Sequence, residues 1–272
     1  MITSRELRAR YYGHLSERER REEFLTYAIY RPLSFCVTPI FIRAGLSANQ
    51  VTLIGLVFLV LMPVTALLSP SRGYLCVGLL NFAFKVLDCV DGNMARSIGS
   101  PTRFGQYLDS LAGKLHLPLL LLALAIIAGN EVPLIAMRYW ISLALLGGLV
   151  YMWGRESRSY FAAYLSPGAK SLVGGSFAAK NLLLSTPRAL KPFFILLLGS
   201  LDMAYLVLCG VVLIEASLFL IIQLRIFSWC LEADSKRPFS EPLSTIPGDR
   251  DPAGPSRKST IGDSQREARP AA

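Results

Sequence analysis

The chain has 272 residues, of which 53% are hydrophobic and 17% are charged, and its formal net charge is +9. Its mean hydropathy is +0.44, and so few charged residues cannot solvate a globular surface of this size. Apolar residues occur in long blocks, which is typical of membrane spans. The five cysteines are odd in number and mostly lie in these blocks, so a disulfide scaffold is excluded. These features exclude soluble and fibrous proteins and predict a polytopic, all-α integral membrane protein.

Three regions are predicted along the chain. Residues 1–46 form a cytoplasmic arm with an amphipathic helix over Leu15 to Leu46, which lies in the membrane interface or packs on the helix bundle. Residues 47–231 form a membrane domain of six transmembrane helices. Residues 232–272 are rich in Ser, Pro, Gly and charged residues, so we expect a disordered cytoplasmic tail there.

The six spans follow from apolar stretches that can cross a bilayer at about 1.5 Å rise per residue. The last stretch is too long for one span and is interrupted at Gly199 to Asp202, so two helices are predicted there, the first beginning among Asn181 to Lys191. The stretches are Val51 to Leu68, Tyr74 to Val90, Tyr107 to Ala128, Val132 to Trp153, and Phe193 to Trp229.

Basic residues are concentrated in the amino-terminal arm, in Arg96 to Arg103 and in Arg155 to Lys180, whereas the opposite loops have almost none. The positive-inside rule therefore predicts that both termini are cytoplasmic. This bias and contact with anionic lipid headgroups account for the net positive charge. No nucleic-acid partner is expected, because no basic module with interleaved aromatic residues is present.

Three aspartates fall at or near the cytoplasmic ends of the second and third spans, where a charge costs about 2.5–3.5 kcal/mol on insertion scales. Asp88 and Asp91 share a helix face. The short link after them returns the next helix antiparallel, which places Asp109 opposite them. Three converging carboxylates repel unless a hard cation lies among them. We therefore predict a site for Mg²⁺, Mn²⁺ or Ca²⁺, and a substrate with a phosphate or diphosphate group.

Small residues and an arginine accompany these aspartates. Gly92, Ala95 and Gly105 leave room for a nucleotide or a neighbouring helix, and Arg96 can clamp a phosphate. The pattern Asp88-x2-Asp91-Gly92-x2-Ala95-Arg96-x8-Gly105-x3-Asp109 resembles the signature of the CDP-alcohol phosphotransferase family. Six helices, an interfacial amino-terminal helix and Asn49-x2-Thr52 at the first span are also similar to that family.

The resemblance implies that an alcohol attacks the β-phosphorus of a CDP-alcohol, commonly CDP-diacylglycerol, and that CMP leaves. It implies a transferase of phospholipid biosynthesis that uses two divalent ions, Mg²⁺ or Mn²⁺. A homodimer and a bacterial plasma membrane are further expectations. The metal ligands it implies are Asp88, Asp91 and Asp109, the last also a catalytic candidate. The candidates for holding the CMP moiety are Asn49, Thr52, Gly92, Ala95, Arg96, Thr102 and Gly105.

The family's signature ends with a fourth aspartate, which acts as general base and contacts a metal, but this chain has Gly113 at that position. In a first interpretation His116, on the same helix face, is the substitute base. Alternatively, His116 is hydrogen-bonded to a neighbouring helix and has no catalytic role.

A second interpretation uses nearby cations. Lys85 or Lys114 takes the place of a vacated metal ion, unless these lysines lie at the membrane rim. The phosphate group of an anionic acceptor then takes the proton from the acceptor's own hydroxyl. Such an acceptor binds in a phosphate pocket formed by Arg103, Arg155, Arg158 and Lys170, unless these residues serve only the positive-inside bias.

In a third interpretation the protein binds CDP-alcohols or lipids as a scaffold or regulator without catalysis. A transporter fits less well, because the carboxylates cluster at one end and no inverted repeat is visible.

Overall fold

A computed structural model of the chain describes residues 24, 26–69, 71–98, 102–161, 163 and 189–235. Helix accounts for 90% of these residues and no strand occurs among them, which confirms the all-α class. A short π-helix, Thr26–Tyr30, leads into the α-helices. These are α1 (Arg31–Arg43), α2 (Ala48–Leu68), α3 (Gly73–Ile98), α4 (Arg103–Glu131), α5 (Met137–Tyr160), α6 (Ala189–Gly199) and α7 (Ala204–Ser235).

Four of the described helices, α2, α3, α4 and α7, are long and apolar enough to cross a membrane. Helix α6 is apolar but shorter, and α5 has 24 residues with charged residues near its end. The chain is therefore a multi-pass membrane protein. The count of six spans stays a prediction.

Most predicted helix positions agree with the structure, but the fourth predicted span is wrong at its start. Residues 132–136 form a loop and α5 begins only at Met137. Pro133 explains the difference, because proline has no N–H group and disfavours helix in the residue before it. The predicted break before the last helix is confirmed as a turn in which Asp202 has a φ of 54°. The predicted arm before Phe24 and the tail beyond Ser235 lie outside the described residues.

The hydrophobic core surrounds the second half of α4. Leu120, Leu121 and Leu124 have no exposed surface, and they pack with residues of α2 and α7 such as Leu59 and Leu208. Because lipid is as apolar as a leucine side chain, these contacts stabilise the bundle through close packing rather than removal from water. Contacts divide the chain into Met1–Trp229 and Cys230–Ala272, and the core belongs to the first unit.

Helix α1 packs against α3 through polar contacts. Asn93 Nδ2 donates hydrogen bonds to Ser34 Oγ at 2.8 Å and to Thr38 Oγ1 at 3.4 Å. Just before α1, the Tyr30 hydroxyl donates to the Ala189 carbonyl at 2.6 Å. Burial, with a smaller effect of Cys89, raises the pKa of Tyr30 far above its ordinary value, so this hydroxyl remains a donor. The described part of the predicted interfacial helix therefore packs on the bundle.

Candidate active site

We define the cleft end of the bundle as the end where α2 and α4 begin and α3 ends. There Asp91 of α3 is only 9% exposed, and its Oδ2 accepts a hydrogen bond of 2.7 Å from Thr52 Oγ1 of α2. Thr52 is held in place because a Ser47–Gln50 capping box starts α2 immediately before it. A threonine that was predicted to contact CMP therefore orients a predicted metal ligand.

A narrow cleft opens beside this hydrogen bond. Asp88 and Asp91 line it together with Ala112 of α4, and the exposed Asp109 lies three residues before Ala112. The charges of Asp88 and Asp109 both act on Asp91. Asp88 and Asp91 of α3 therefore share the cleft, whereas Asp109 of α4 lies outside its lining but near enough for its charge to act on Asp91.

These three aspartates fit a divalent cation by the chemistry of their donor atoms. They offer only oxygen atoms, which Mg²⁺ and Mn²⁺ prefer, and a cation among them would relieve their mutual repulsion. Within the described ranges, no three Asp, Glu, His or Cys side chains are gathered closely enough to complete a metal site. That Asp88, Asp91 and Asp109 together hold an ion therefore stays a prediction from their donor chemistry.

Three of the predicted nucleotide-binding residues meet where α2 and α4 begin. Asn49 Nδ2 donates to Thr102 Oγ1 at 3.4 Å, and Thr102 Oγ1 accepts a 3.0 Å hydrogen bond from the Gly105 N–H, which caps α4. A Cβ atom at Gly105 would lie 2.5 Å from Asn49 Oδ1. Any larger residue at position 105 would therefore force the Asn49 side chain to shift.

Arg96 lies back over the motif glycine. A Cβ atom at Gly92 would lie 3.1 Å from Arg96 Nη2, and this nitrogen donates to Asn93 Oδ1 at 3.2 Å. Arg31 of α1 donates to the same oxygen at 3.2 Å. Asn93 therefore accepts hydrogen bonds from two guanidinium groups beside the motif. Ala95, another predicted nucleotide-binding residue, is half-buried on the same helix. Neither Asn93 nor Arg31 was predicted from the sequence, although Ser34 and Thr38, four residues apart, indicate a polar helix contact.

The position of the missing aspartate is covered by a side chain of α5. A Cβ atom at Gly113 would lie 3.0 Å from Arg155 Nη1 and 3.1 Å from Nη2. The Tyr151 hydroxyl accepts from Arg155 Nη1 at 3.1 Å and donates to the Gly113 carbonyl at 3.0 Å. Tyr151 was not identified from the sequence. Lys114, a candidate for a metal's place, forms an ion pair with Glu156.

His116 lies deeper in the bundle and is 7% exposed. Its Nε2 is 2.8 Å from Asn81 Oδ1 of α3, and its ring stacks on Phe84 with 4.8 Å between centroids. Phe84 lines the cleft, whereas His116 does not. This geometry matches the interpretation of a histidine hydrogen-bonded to a neighbouring helix. Lys85 is half-buried and its charge acts on His116.

The three described arginines of the predicted acceptor pocket have different surroundings. Arg103 is exposed at the first position of α4, Arg158 Nε donates to the Gly154 carbonyl at 3.2 Å, and Arg155 covers Gly113. Lys170 lies outside the described residues. A pocket shared by all of them stays a hypothesis, and Arg155 is the member that lies against Gly113.

A helical membrane domain with three carboxylates at one end defines an integral membrane protein with an acidic site at its surface. The sequence profile of CDP-alcohol phosphatidyltransferases matches residues 46–212, which is more than half of the chain. The chain therefore belongs to the CDP-alcohol phosphatidyltransferase family, as its motif predicted. Members are transferases of phospholipid synthesis that act on CDP-alcohols and generally depend on divalent metal ions. No curated protein and no solved structure matches the chain.

Proposed function

We propose that the protein transfers a phosphatidyl or other substituted phosphoryl group from a CDP-alcohol to an alcohol acceptor and releases CMP. CDP-diacylglycerol is the proposed donor. The observation that supports this most is the environment of Asp91. Its side chain is buried, accepts a 2.7 Å hydrogen bond from Thr52, and is repelled by the charges of two further aspartates. Such a group of like charges is suited to a cation that carries a diphosphate.

In this proposal Asp88, Asp91 and Asp109 hold Mg²⁺ or Mn²⁺, and the bound ion supplies charge neutralisation for the diphosphate. Thr52 fixes the orientation of the Asp91 carboxylate. Arg96, which lies over Gly92, donates hydrogen bonds to phosphate oxygens. The remaining contacts to the CMP moiety come from Asn49, Ala95, Thr102 and Gly105.

The proton of the acceptor needs a destination, since Gly113 has no side chain to receive it. Asp109 is the exposed carboxylate one helical turn before Gly113, and we propose that it takes this proton. His116 is the alternative base, but its packing against Asn81 and Phe84 favours a positioning role between α3 and α4.

A second function is favoured by the same position. Because Gly113 removes a carboxylate and Arg155 covers the gap, the protein is alternatively a scaffold that binds CDP-alcohol or lipid without turnover. Loss of a general base costs about 10²- to 10⁴-fold in rate, which is enough to leave binding as the main activity.

We also propose that the cleft end and both termini face the cytoplasm of a bacterial cell. The support is the charge distribution: Arg96, Arg103, Arg155 and Arg158 lie at the cleft end, whereas the described basic residues of the opposite end are Arg72 and Arg138, which Glu131 and Asp202 balance. A homodimer in the plasma membrane is proposed from family resemblance alone.

The test is CMP release by the full chain in lipid vesicles containing CDP-diacylglycerol, with a mixture of polar alcohols and product identification by mass spectrometry. Release should require Mg²⁺ or Mn²⁺ and should be lost on chelation. If the folded protein releases no CMP from CDP-diacylglycerol or from soluble CDP-alcohols, but binds them, the scaffold function is correct instead.

A further inference from the structure

The side chain of Asn93 connects α1 to Arg96 of the signature motif. Asn93 is only 4% exposed. Its Nδ2 donates to Ser34 Oγ at 2.8 Å and to Thr38 Oγ1 at 3.4 Å. Its Oδ1 accepts from Arg31 Nη1 and from Arg96 Nη2, each at 3.2 Å. Because a side-chain amide has two donor hydrogens and accepts two hydrogen bonds, every hydrogen-bonding position of Asn93 is used.

Helix α1 fixes which way this amide points. The Ser34 hydroxyl donates to the Arg31 carbonyl at 2.7 Å, and the Thr38 hydroxyl donates to the Ser34 carbonyl at 2.7 Å. Because a hydroxyl has a single hydrogen, both oxygens can only accept hydrogen bonds from Asn93. The Asn93 nitrogen must therefore face α1, and its carbonyl oxygen must face the two guanidinium groups.

The guanidinium of Arg96 lies on the acidic side of α3. Its Nη2 and Nη1 are 3.1 Å and 3.4 Å from the place of a Cβ atom at Gly92. Gly92 follows Asp91 and lies four residues after Asp88, so it shares a helix face with Asp88. The glycine leaves room for the guanidinium beside this face, and the Asn93 oxygen holds the guanidinium there.

We propose that Asn93 is a positioning residue for Arg96, and that α1 acts on the binding of the diphosphate through this amide. The inference rests on the proposed function, in which Arg96 donates to phosphate oxygens. An arginine that is already ordered loses less conformational entropy on binding phosphate than a mobile one. Without the Asn93 oxygen the exposed Arg96 side chain would be less well ordered, and the affinity for a diphosphate would fall.

The experiment measures CDP binding in the presence of Mg²⁺ by calorimetry, with the full chain in lipid nanodiscs. Arg96→Leu should lower the affinity by about thirtyfold, because charge-assisted hydrogen bonds are lost. Asn93→Leu should lower it by about tenfold. Adding Asn93→Leu to Arg96→Leu should cause no further loss, because Asn93 acts through the guanidinium. A residue that only packs α1 on α3 would instead cause the same loss in both backgrounds.

A milder change tests the same link from α1. Ser34→Ala removes one acceptor of the Asn93 nitrogen and should lower the affinity for CDP by about threefold. In the Arg96→Leu background it should have no effect. This variant carries the test if Asn93→Leu does not fold. The control is Ser142→Ala, which removes a hydroxyl that donates to the Arg138 carbonyl of α5 and should bind CDP as wild type does.

Equal losses with and without Arg96, or wild-type affinity in Asn93→Leu and Ser34→Ala, would overturn the inference. If the losses depend on Arg96 and no CMP is released, the inference stands and the proposed transferase function fails. If CMP is released while the losses are independent of Arg96, the function stands and the inference fails. Absence of CDP binding by the wild type would overturn the inference together with the proposed donor.

Discussion

The two halves of α4 are held in place by different forces. From Leu117 to Ala128 nine of the twelve residues are buried against neighbouring helices, whereas Phe104, Tyr107 and Asp109 in the first half are exposed. The apolar half is fixed by many interchangeable packing contacts. The polar half depends on a few specific contacts at Thr102, Gly105 and Gly113. Substitutions should therefore reduce stability in one half and ligand binding in the other.

The largest effect is expected at Asp91. Asp91→Asn removes a charge from the three carboxylates while it keeps a partner for Thr52, so the fold should persist. CMP release in the vesicle assay should fall by about 10³-fold or more, because a ligand to the ion is lost. Asp202→Asn, at the opposite end of the bundle, should retain wild-type release. Equal losses in the two variants would contradict the assignment of the cleft.

The buried half should show the opposite behaviour. Leu124→Ala leaves a cavity at a position with no exposed surface and should lower the free energy of unfolding by about 2–4 kcal/mol. The measurement is the thermal or denaturant unfolding transition in detergent. The affinity for CDP at a temperature where the protein is folded should change little. Leu134→Ala, at a residue that is 97% exposed, is the control and should not change stability; a similar loss there would show that burial is not the cause.

Gly105 should have an intermediate effect that is specific to binding. Gly105→Ala places a Cβ atom 2.5 Å from Asn49 Oδ1, which must displace Asn49 from Thr102. We expect CDP affinity to fall by about tenfold to thirtyfold, which corresponds to roughly 1.4–2 kcal/mol. Gly210→Ala is the matched helical control, because its added Cβ atom would meet nothing within 4 Å. Unchanged CDP binding by Gly105→Ala would exclude this corner from the nucleotide site.

The smallest effect is expected at His116. If it positions α3 against α4 through Asn81, His116→Ala should reduce turnover by less than about tenfold, a loss well below that of a general base. Asn81→Leu should have a similar effect, and the double variant should add little because the two side chains act together. A loss of about 10²-fold or more in His116→Ala, without a comparable loss in Asn81→Leu, would identify His116 as the base.

Much of the fold could be predicted because apolar length and local spacing decide it. Long apolar runs locate the first three spans, and the spacing of Asp88, Asp91 and Asp109 predicts one acidic site. The predicted start of the fourth span was wrong because the apolar residues around Pro133 have the composition of a span but do not form a helix.

The remaining contacts could not be predicted because they depend on how each helix is rotated. The pair of Gly113 and Arg155 joins residues that are far apart in the chain, and a pattern of 3.6 residues per turn does not fix which faces meet. The same applies to the buried pair of Lys191 and Glu215, whose charged atoms are 4.0 Å apart.

The most direct test of the acidic site is CDP binding to the full chain in nanodiscs, measured by calorimetry with and without Mg²⁺. Wild type should bind CDP only when Mg²⁺ is present, and Asp88→Asn, Asp91→Asn and Asp109→Asn should each lose this Mg²⁺-dependent binding. Asp202→Asn should bind as wild type does. Equal affinity for CDP with and without Mg²⁺, or normal Mg²⁺-dependent binding in Asp91→Asn, would contradict a cation held by these carboxylates.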